Sequence, residues 1–274
     1  MNKSQSASQR RASYPYLVWA LIFIIVPLLM VIYYAFTDSQ GGFTADNILK
    51  IGDYMDTFLL SILLGAIATV ICLLISYPAA YMMSRMRFSR QKTMLMLVML
   101  PMWINLLLRT YALMGLLEDT GLINRLLSFF HLPTVHMINT PGAVVLGMVY
   151  NFLPYMILPL YSIMTKVESN ILEAAQDLGS NGFETFRRVI FPLSVPGIVS
   201  GITMVFVPSV STFYISQKLG GTSTLIGDII DTKFSYENNY NLGAALSFVL
   251  MIMIFICMAV MNEFSDDEGE AIIV

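Results

Sequence analysis

A polar segment in the second half of this 274-residue chain combines residue types whose spacing suits protein binding rather than catalysis. Asn170 is followed three residues later by Glu173, a pair that is typical of a helix N-terminus. Gly179 suits the left-handed conformation that ends many helices. Asn181 and Glu184 repeat the first pattern and predict a second short helix. Two short helices with mixed apolar and charged surfaces indicate a docking site for another protein.

This segment, residues 165–193, resembles the EAA loop of ABC-importer permeases. It reads Glu173-Ala174-Ala175, three residues, Gly179, nine residues and then Val189-Ile190-Phe191-Pro192, where the family pattern is EAA-x3-G-x9-I-x-L-P. The resemblance implies an element that inserts into a groove on a cytoplasmic ATPase and couples ATP-driven closure to movement of the membrane helices. The residues assigned to ATPase coupling are Glu173, Ala174, Ala175, Gly179, Phe183, Phe186, Arg187 and Pro192. Because proline lacks a backbone N–H, Pro192 is also expected to end the second helix.

Polar and aromatic residues also interrupt three of the most apolar stretches. Such groups must face protein or water rather than lipid, and Tyr and Trp rings attract organic cations by about 0.5–2 kcal/mol each. They predict a path that passes a polyamine without trapping it, although interfacial aromatic belts and helix packing give the same pattern. The candidate path residues are Trp103, Asn105, Tyr150, Asn151, Tyr155, Ser211 and Tyr214.

Arg109 is a charged residue that falls well inside an apolar stretch. Burial of arginine at a helix centre costs about 2.5–3.5 kcal/mol on insertion scales. On a continuous helix Arg109 would lie about 22 Å from Met94, near the outer surface, where it could snorkel or pair with Glu118 or Asp119. Because a cation repels a cationic substrate, Arg109 is expected to be a gate or structural residue rather than a ligand.

The amino-acid composition indicates that membrane-spanning helices position these residues. The chain is 57% hydrophobic and 12% charged, against roughly 45–50% and about 25% in soluble domains, so it is an all-α integral membrane protein. Gly197 and Gly201 lie four residues apart and predict a face for close helix packing. The six predicted transmembrane helices cover approximately residues 16–36, 58–83, 94–117, 142–164, 195–216 and 242–261.

The positive charges of the loops predict the orientation, since cytoplasmic loops are enriched in Lys and Arg. One side carries Lys3, Arg10, Arg11, Arg85, Arg87, Arg90, Lys92, Lys166, Arg187 and Arg188; the other carries Lys50, Arg125, Lys218 and Lys233. The richer side is predicted to be cytoplasmic, which places both termini inside. The organisation is then a cytoplasmic segment at 1–15, a permease domain at 16–261 and an acidic cytoplasmic tail at 262–274.

Three clusters, at 101–111, 150–162 and 206–221, resemble spermidine/putrescine permeases of the PotB type. The resemblance implies the MetI-like fold of type I ABC importers, a bacterial plasma membrane location and polyamine import by alternating access. The implied partners are a second homologous permease (PotC type), a cytoplasmic ABC ATPase dimer (PotA type), an extracytoplasmic polyamine-binding protein (PotD type) and the lipid bilayer. ATP and Mg would bind to the ATPase, with no cofactor on this chain. The net charge of −3 provides no basic field for nucleic acid.

Three alternatives remain open from the residues alone. The first is an ABC permease for another small solute, such as iron, thiamine or an anion. A membrane-embedded enzyme is disfavoured because His131 and His136 lie in a loop at poor metal-ligand spacing, and the sequence lacks His-Glu-x-x-His and Gly-x-Ser-x-Gly motifs. An ion-coupled secondary transporter is disfavoured because the predicted spans lack a carboxylate to carry a proton.

Overall fold

The computed structural model describes residues 15–38 and 40–271, with side chains as far as residue 261. Most of this length is helical, and an isolated β-bridge joins Thr37 to Phe43. The helices are α1 (Pro15–Ala35), α2 (Asp46–Leu49), α3 (Met55–Ser84), α4 (Phe88–Met99), α5 (Leu106–Leu117), α6 (Leu122–Phe129), α7 (Pro141–Met164), α8 (Ser169–Asp177), α9 (Gly182–Ser211), α10 (Tyr214–Leu219), α11 (Ile226–Ser235) and α12 (Tyr240–Ala271).

Within the described residues, five helical segments are long and apolar enough to cross a membrane, and a bent pair makes a sixth. The five are α1, α3 with its preceding turns from Asp46, α7, α9 and the Tyr240–Met261 part of α12. This arrangement confirms the all-helical membrane fold. The segment 1–14 and the residues 272–274 of the predicted tail lie outside the described residues, and the α12 backbone continues through residues 262–271.

The third predicted span is not one continuous helix. The chain turns by 91° between Phe88–Trp103 and Leu106–Phe129. Pro101 lies in a 3₁₀ turn at Leu100–Trp103 and has no N–H to continue the helical ladder. Asn105 is extended beyond that turn, and its Oδ1 accepts the Leu107 N–H at 2.8 Å, so that α5 begins afresh. The span predicted at 94–117 is therefore divided into two helices, and the depth of Arg109 reckoned along one continuous helix was wrong.

The fifth span also differs from its prediction. Pro192 does not end a helix, because it lies in the first turn of the regular helix that follows a π turn at Phe186–Ile190, where proline fits. The long helix α9 ends at Ser211 rather than residue 216, since Thr212 is extended with ψ 142°. A separate short helix, α10, then carries Tyr214.

The predicted small-residue face is confirmed by the packing of α9 on α7. A Cβ atom added at Gly201 would lie 2.5 Å from the Met156 sulfur, and one at Gly197 would lie 3.2 Å from the Pro159 carbonyl oxygen. Side chains at these positions would force the helices apart. The glycine pair therefore allows α9 to approach α7 closely.

The chain divides into two compact units. Of the described residues, one unit contains 15–38, 40–55 and 229–252; in it, the Asn241 and Asn47 side-chain amides both donate to the Thr37 carbonyl oxygen, at 2.7 and 2.9 Å. The other contains residues 56–228 and 253–271, and every candidate site residue falls in it.

Candidate functional site

The segment between α7 and α9 folds as the two predicted short helices, with one boundary shifted. Helix α8 begins at Ser169 after Glu168, and no side chain caps it, so the prediction of Asn170 as its N-cap was wrong. Asn170 instead lies within the first turn. Glu173 and Ala174 are exposed on α8, and Ala175 is half-buried.

Gly179 has the left-handed backbone that its position predicts, with φ +84°. Its N–H donates to the Gln176 carbonyl at 2.8 Å, and the Ser180 N–H donates to the Ala175 carbonyl at 3.1 Å. These two bonds form a Schellman motif, which satisfies carbonyls at the end of α8. A residue with a Cβ is strained at this φ, so glycine sets the angle at which the chain leaves α8.

The second helix begins with the predicted capping box. The Glu184 N–H donates to Asn181 Oδ1 at 2.9 Å, and the Asn181 N–H donates to Glu184 Oε2 at 3.3 Å. This helix is the first part of α9 rather than an isolated one, because the π turn at Phe186–Ile190 joins it to the membrane helix. The loop is therefore continuous in helical structure with α9.

The loop surface combines exposed apolar groups with charge. Leu178 is 89% exposed and Phe183 is 71% exposed, and Arg187 is exposed beside them in sequence. Large apolar side chains that are left in contact with solvent mark interaction sites. Here they flank Gly179 on both sides, so the loop has the chemistry of a docking surface.

Phe186 has a different role from Phe183, since it anchors the loop to the helix bundle. Its ring lies 5.6 Å from that of Tyr77 on α3, edge to face. The Tyr77 hydroxyl is hydrogen-bonded to Ser194 Oγ on α9 at 2.8 Å. On the other side of the loop, Arg85 Nη1 donates to the Val167 carbonyl at 3.0 Å. These contacts connect the loop to two membrane helices.

The candidate path residues occupy several distinct environments. Trp103 is 73% exposed, Tyr150 is 40% exposed and Tyr155 is 38% exposed, so three aromatic rings remain at the surface of this chain. Asn151 is fully buried; its Nδ2 donates to the Gly147 carbonyl at 2.9 Å, and its Oδ1 has no hydrogen-bond partner.

Asn105 and Ser211 make hydrogen bonds to the backbone. Asn105 caps α5, as described above, and Ser211 Oγ donates to the Val207 carbonyl at 2.9 Å. Tyr214 packs edge to face on Tyr111, with ring centroids 6.0 Å apart. Lys218, which the sequence indicates only as a loop charge, lies against both rings. Its i, i+4 spacing from Tyr214 is the sequence signal that could identify it.

Replacing Asn105 tests whether its main role is to cap α5. Asn105→Leu removes the acceptor for the Leu107 N–H and is expected to cost about 1 kcal/mol of stability. Asn105→Asp keeps an acceptor at the same position and should retain native stability. Thermal unfolding of the two purified variants measures the difference; equal melting temperatures would contradict a capping role.

Arg109 is only 7% exposed, and its Nε and Nη1 atoms have no hydrogen-bond partner. The predicted pairing with Asp119 was wrong, because Asp119 contacts His136 Nδ1 at 2.8 Å, and no salt bridge joins Arg109 to Glu118 among the described side chains. The break at Asn105 explains the difference. Arg109 lies in the first turn of a helix that begins at Leu106, and its side chain is buried rather than extended to the surface.

The sequence of this chain matches a known protein family and its characterised members. The model of the binding-protein-dependent transport system inner membrane component matches residues 73–266. The chain is 37% identical over 246 residues to the spermidine/putrescine transport system permease protein PotB of Haemophilus influenzae, with 86% of each chain covered. It is 34% identical over 253 residues to PotB of Escherichia coli, with 88% of this chain and 92% of the relative covered.

A solved structure shares the fold. A bacterial ABC transporter involved in the import of the acidic polysaccharide alginate superposes with a TM-score of 0.82 at 15% identity, covering 96% of each chain. At that identity the likeness concerns the fold alone, which is that of ABC-importer permeases. The family model covers the loop around Gly179 and both helices that it connects. The chain therefore belongs to the family of binding-protein-dependent transport system inner membrane components, the permease subunits of ABC importers.

Proposed function

We propose that this chain is a permease subunit of an ATP-driven importer for polyamines such as spermidine and putrescine. The observation that carries the substrate class is the likeness to PotB proteins along most of the chain. The exposed aromatic rings of Trp103, Tyr150 and Tyr155 agree with it, because aromatic faces bind organic cations without a fixed counter-charge. Iron, thiamine and anion permeases remain the competing assignments within the family.

The Gly179 loop is proposed as the coupling element. Glu173, Ala174 and Ala175 would contact a cytoplasmic ABC ATPase dimer, and Phe183 would insert its exposed ring into the groove that receives them. Closure of the dimer on ATP and Mg, both held by the ATPase, pushes on α8. The Phe186–Tyr77 and Tyr77–Ser194 contacts then carry the movement to α3 and α9.

The substrate path is proposed to run along the polar and aromatic side chains, between this chain and a second permease. Trp103, Tyr150 and Tyr155 provide exposed rings, whereas Asn151 provides a buried amide and Ser211 a half-buried hydroxyl. Arg109 is proposed as a gate. Its Nε and Nη1 atoms have no hydrogen-bond partner, which is costly in a buried side chain, so a state in which they gain partners would be stabilised during alternating access.

The complete transporter is proposed to contain a PotC-type permease, two copies of a PotA-type ATPase and a PotD-type polyamine-binding protein. Both termini and the Gly179 loop would lie in the cytoplasm of a bacterial cell, in agreement with the distribution of Lys and Arg. The binding protein would then dock on the opposite side of the membrane.

Labelled-solute uptake in cells that lack this chain tests the function. Loss of spermidine uptake, restored by the native gene and competed by putrescine but not by thiamine, iron or inorganic anions, is the expected result. Uptake that persists in a strain without another polyamine system would overturn the substrate class.

A further inference from the structure

A lysine side chain lies against two tyrosine rings in this structure. Lys218 Nζ lies 5.5 Å from the centroid of the Tyr111 ring and 5.7 Å from that of the Tyr214 ring. The rings themselves meet edge to face, with centroids 6.0 Å apart. The three side chains come from α5 and α10, which pack against each other. An ammonium group thus lies against two aromatic side chains at once.

The cluster lies near the end of the bundle opposite the Gly179 loop. A Cβ added at Gly220, two residues after Lys218, would lie 3.0 Å from Val144 at the beginning of α7. The other end of α7 leads into the loop. Tyr111 is 46% exposed and Lys218 is half-buried, so a solute can reach the rings. Under the proposed orientation, this is the end at which substrate arrives.

We propose that Tyr111 and Tyr214 form an ammonium site in which Lys218 is a built-in occupant that an arriving polyamine ammonium displaces. The lysine side chain is a butylammonium group, and the aminobutyl arm of putrescine or spermidine ends in the same four carbons and ammonium. Two rings that hold one therefore hold the other. This inference rests on the proposed polyamine function and assigns Lys218 to its specificity site.

Displacement makes Lys218 an intramolecular competitor. A group tethered beside its site competes at an effective concentration of the order of millimolar. The site consequently holds a polyamine weakly and releases it readily, which suits passage better than storage. Removing the lysine ammonium should tighten binding of amines about tenfold, equivalent to about 1.4 kcal/mol, and should slow release. The expected signature is a lower KM together with a lower kcat.

Inhibition by n-butylamine, the detached analogue of the lysine side chain, tests this directly. The complete transporter with its binding protein is reconstituted in proteoliposomes, and labelled spermidine uptake is measured against butylamine concentration. Lys218→Gln should lower the half-inhibitory concentration about tenfold, and Lys218→Arg should restore weak inhibition. Lys50→Gln removes a lysine charge at an exposed position elsewhere and serves as the matched control. Because every variant is assayed with the same binding protein, any binding of butylamine to that protein affects all variants equally and does not contribute to the difference between them.

A second substitution separates displacement from simple charge repulsion. Adding Tyr111→Leu to Lys218→Gln should abolish the gain in inhibition if the rings are the site. Inhibition that is equal in the native transporter and Lys218→Gln, or a gain that persists without the Tyr111 ring, would overturn the inference while leaving polyamine transport intact. A native transporter that moves no polyamine would overturn the proposed function itself. Lys218→Met replaces Lys218→Gln if the latter does not assemble, and failure of both contradicts a displaceable role for Lys218.

Discussion

Gly179→Val is expected to abolish transport while leaving the chain in the membrane. The φ of +84° at Gly179 is costly for a residue with a Cβ, by about 1–2 kcal/mol, and more for a β-branched one. A Cβ there would meet no atom within 4 Å, so the packing of the chain itself is not disturbed. Relief of the strain must change the direction of α8, which would move Glu173 away from the ATPase that we propose it contacts. Uptake relative to membrane content measures the effect.

Gly182 provides the control for this substitution. It lies in the same loop, a Cβ added there also meets no atom within 4 Å, and its φ is outside the left-handed region. Gly182→Val should therefore retain most of the uptake. Equal losses in the two variants would show that the loop tolerates no added volume, and normal uptake by Gly179→Val would contradict the coupling role.

Glu173→Lys is expected to release the ATPase from the purified complex. An exposed carboxylate on α8 is proposed to pair with a basic or hydrogen-bonding group of the ATPase, and loss of such a pair costs about 2–5 kcal/mol at an interface. The retained fraction of ATPase on affinity purification should fall at least tenfold. Asp177→Lys makes the same charge change one turn later at an exposed position and should retain the ATPase. Comparable release by both variants would indicate a general charge effect, and unchanged retention in Glu173→Lys would contradict the contact.

The local structure of the Gly179 loop could be predicted closely because its signals are local. The capping box at Asn181 and Glu184 and the left-handed turn at Gly179 are encoded by residues within one or two turns of each other. The same reasoning placed the N-cap of α8 wrongly at Asn170, because no side chain caps that helix. Hydropathy located the spans, since burial in lipid requires long apolar runs.

Breaks in the spans could not be predicted from hydropathy. The hydropathy of an apolar stretch is the same whether its helix is straight or turns by 91°. The turn after Trp103 depends on Asn105 as an N-cap, and the sequence alone does not distinguish this role from that of a polar residue lining a substrate path. The error at Arg109 follows from it, because its depth was measured along a helix that does not exist. Lys218 was missed since its ring contacts require α5 and α10 to pack together.

We propose that this chain moves polyamines across a membrane at the expense of ATP hydrolysed by its partner ATPase. The most direct measurement is uptake of labelled spermidine into proteoliposomes that contain this chain, its partner permease, the ATPase and the binding protein. We predict ATP-dependent accumulation that disappears when this chain is omitted or carries Gly179→Val, and that thiamine, ferric iron and inorganic anions do not replace spermidine. Accumulation of one of those solutes in place of spermidine, or spermidine uptake without this chain, would contradict the account.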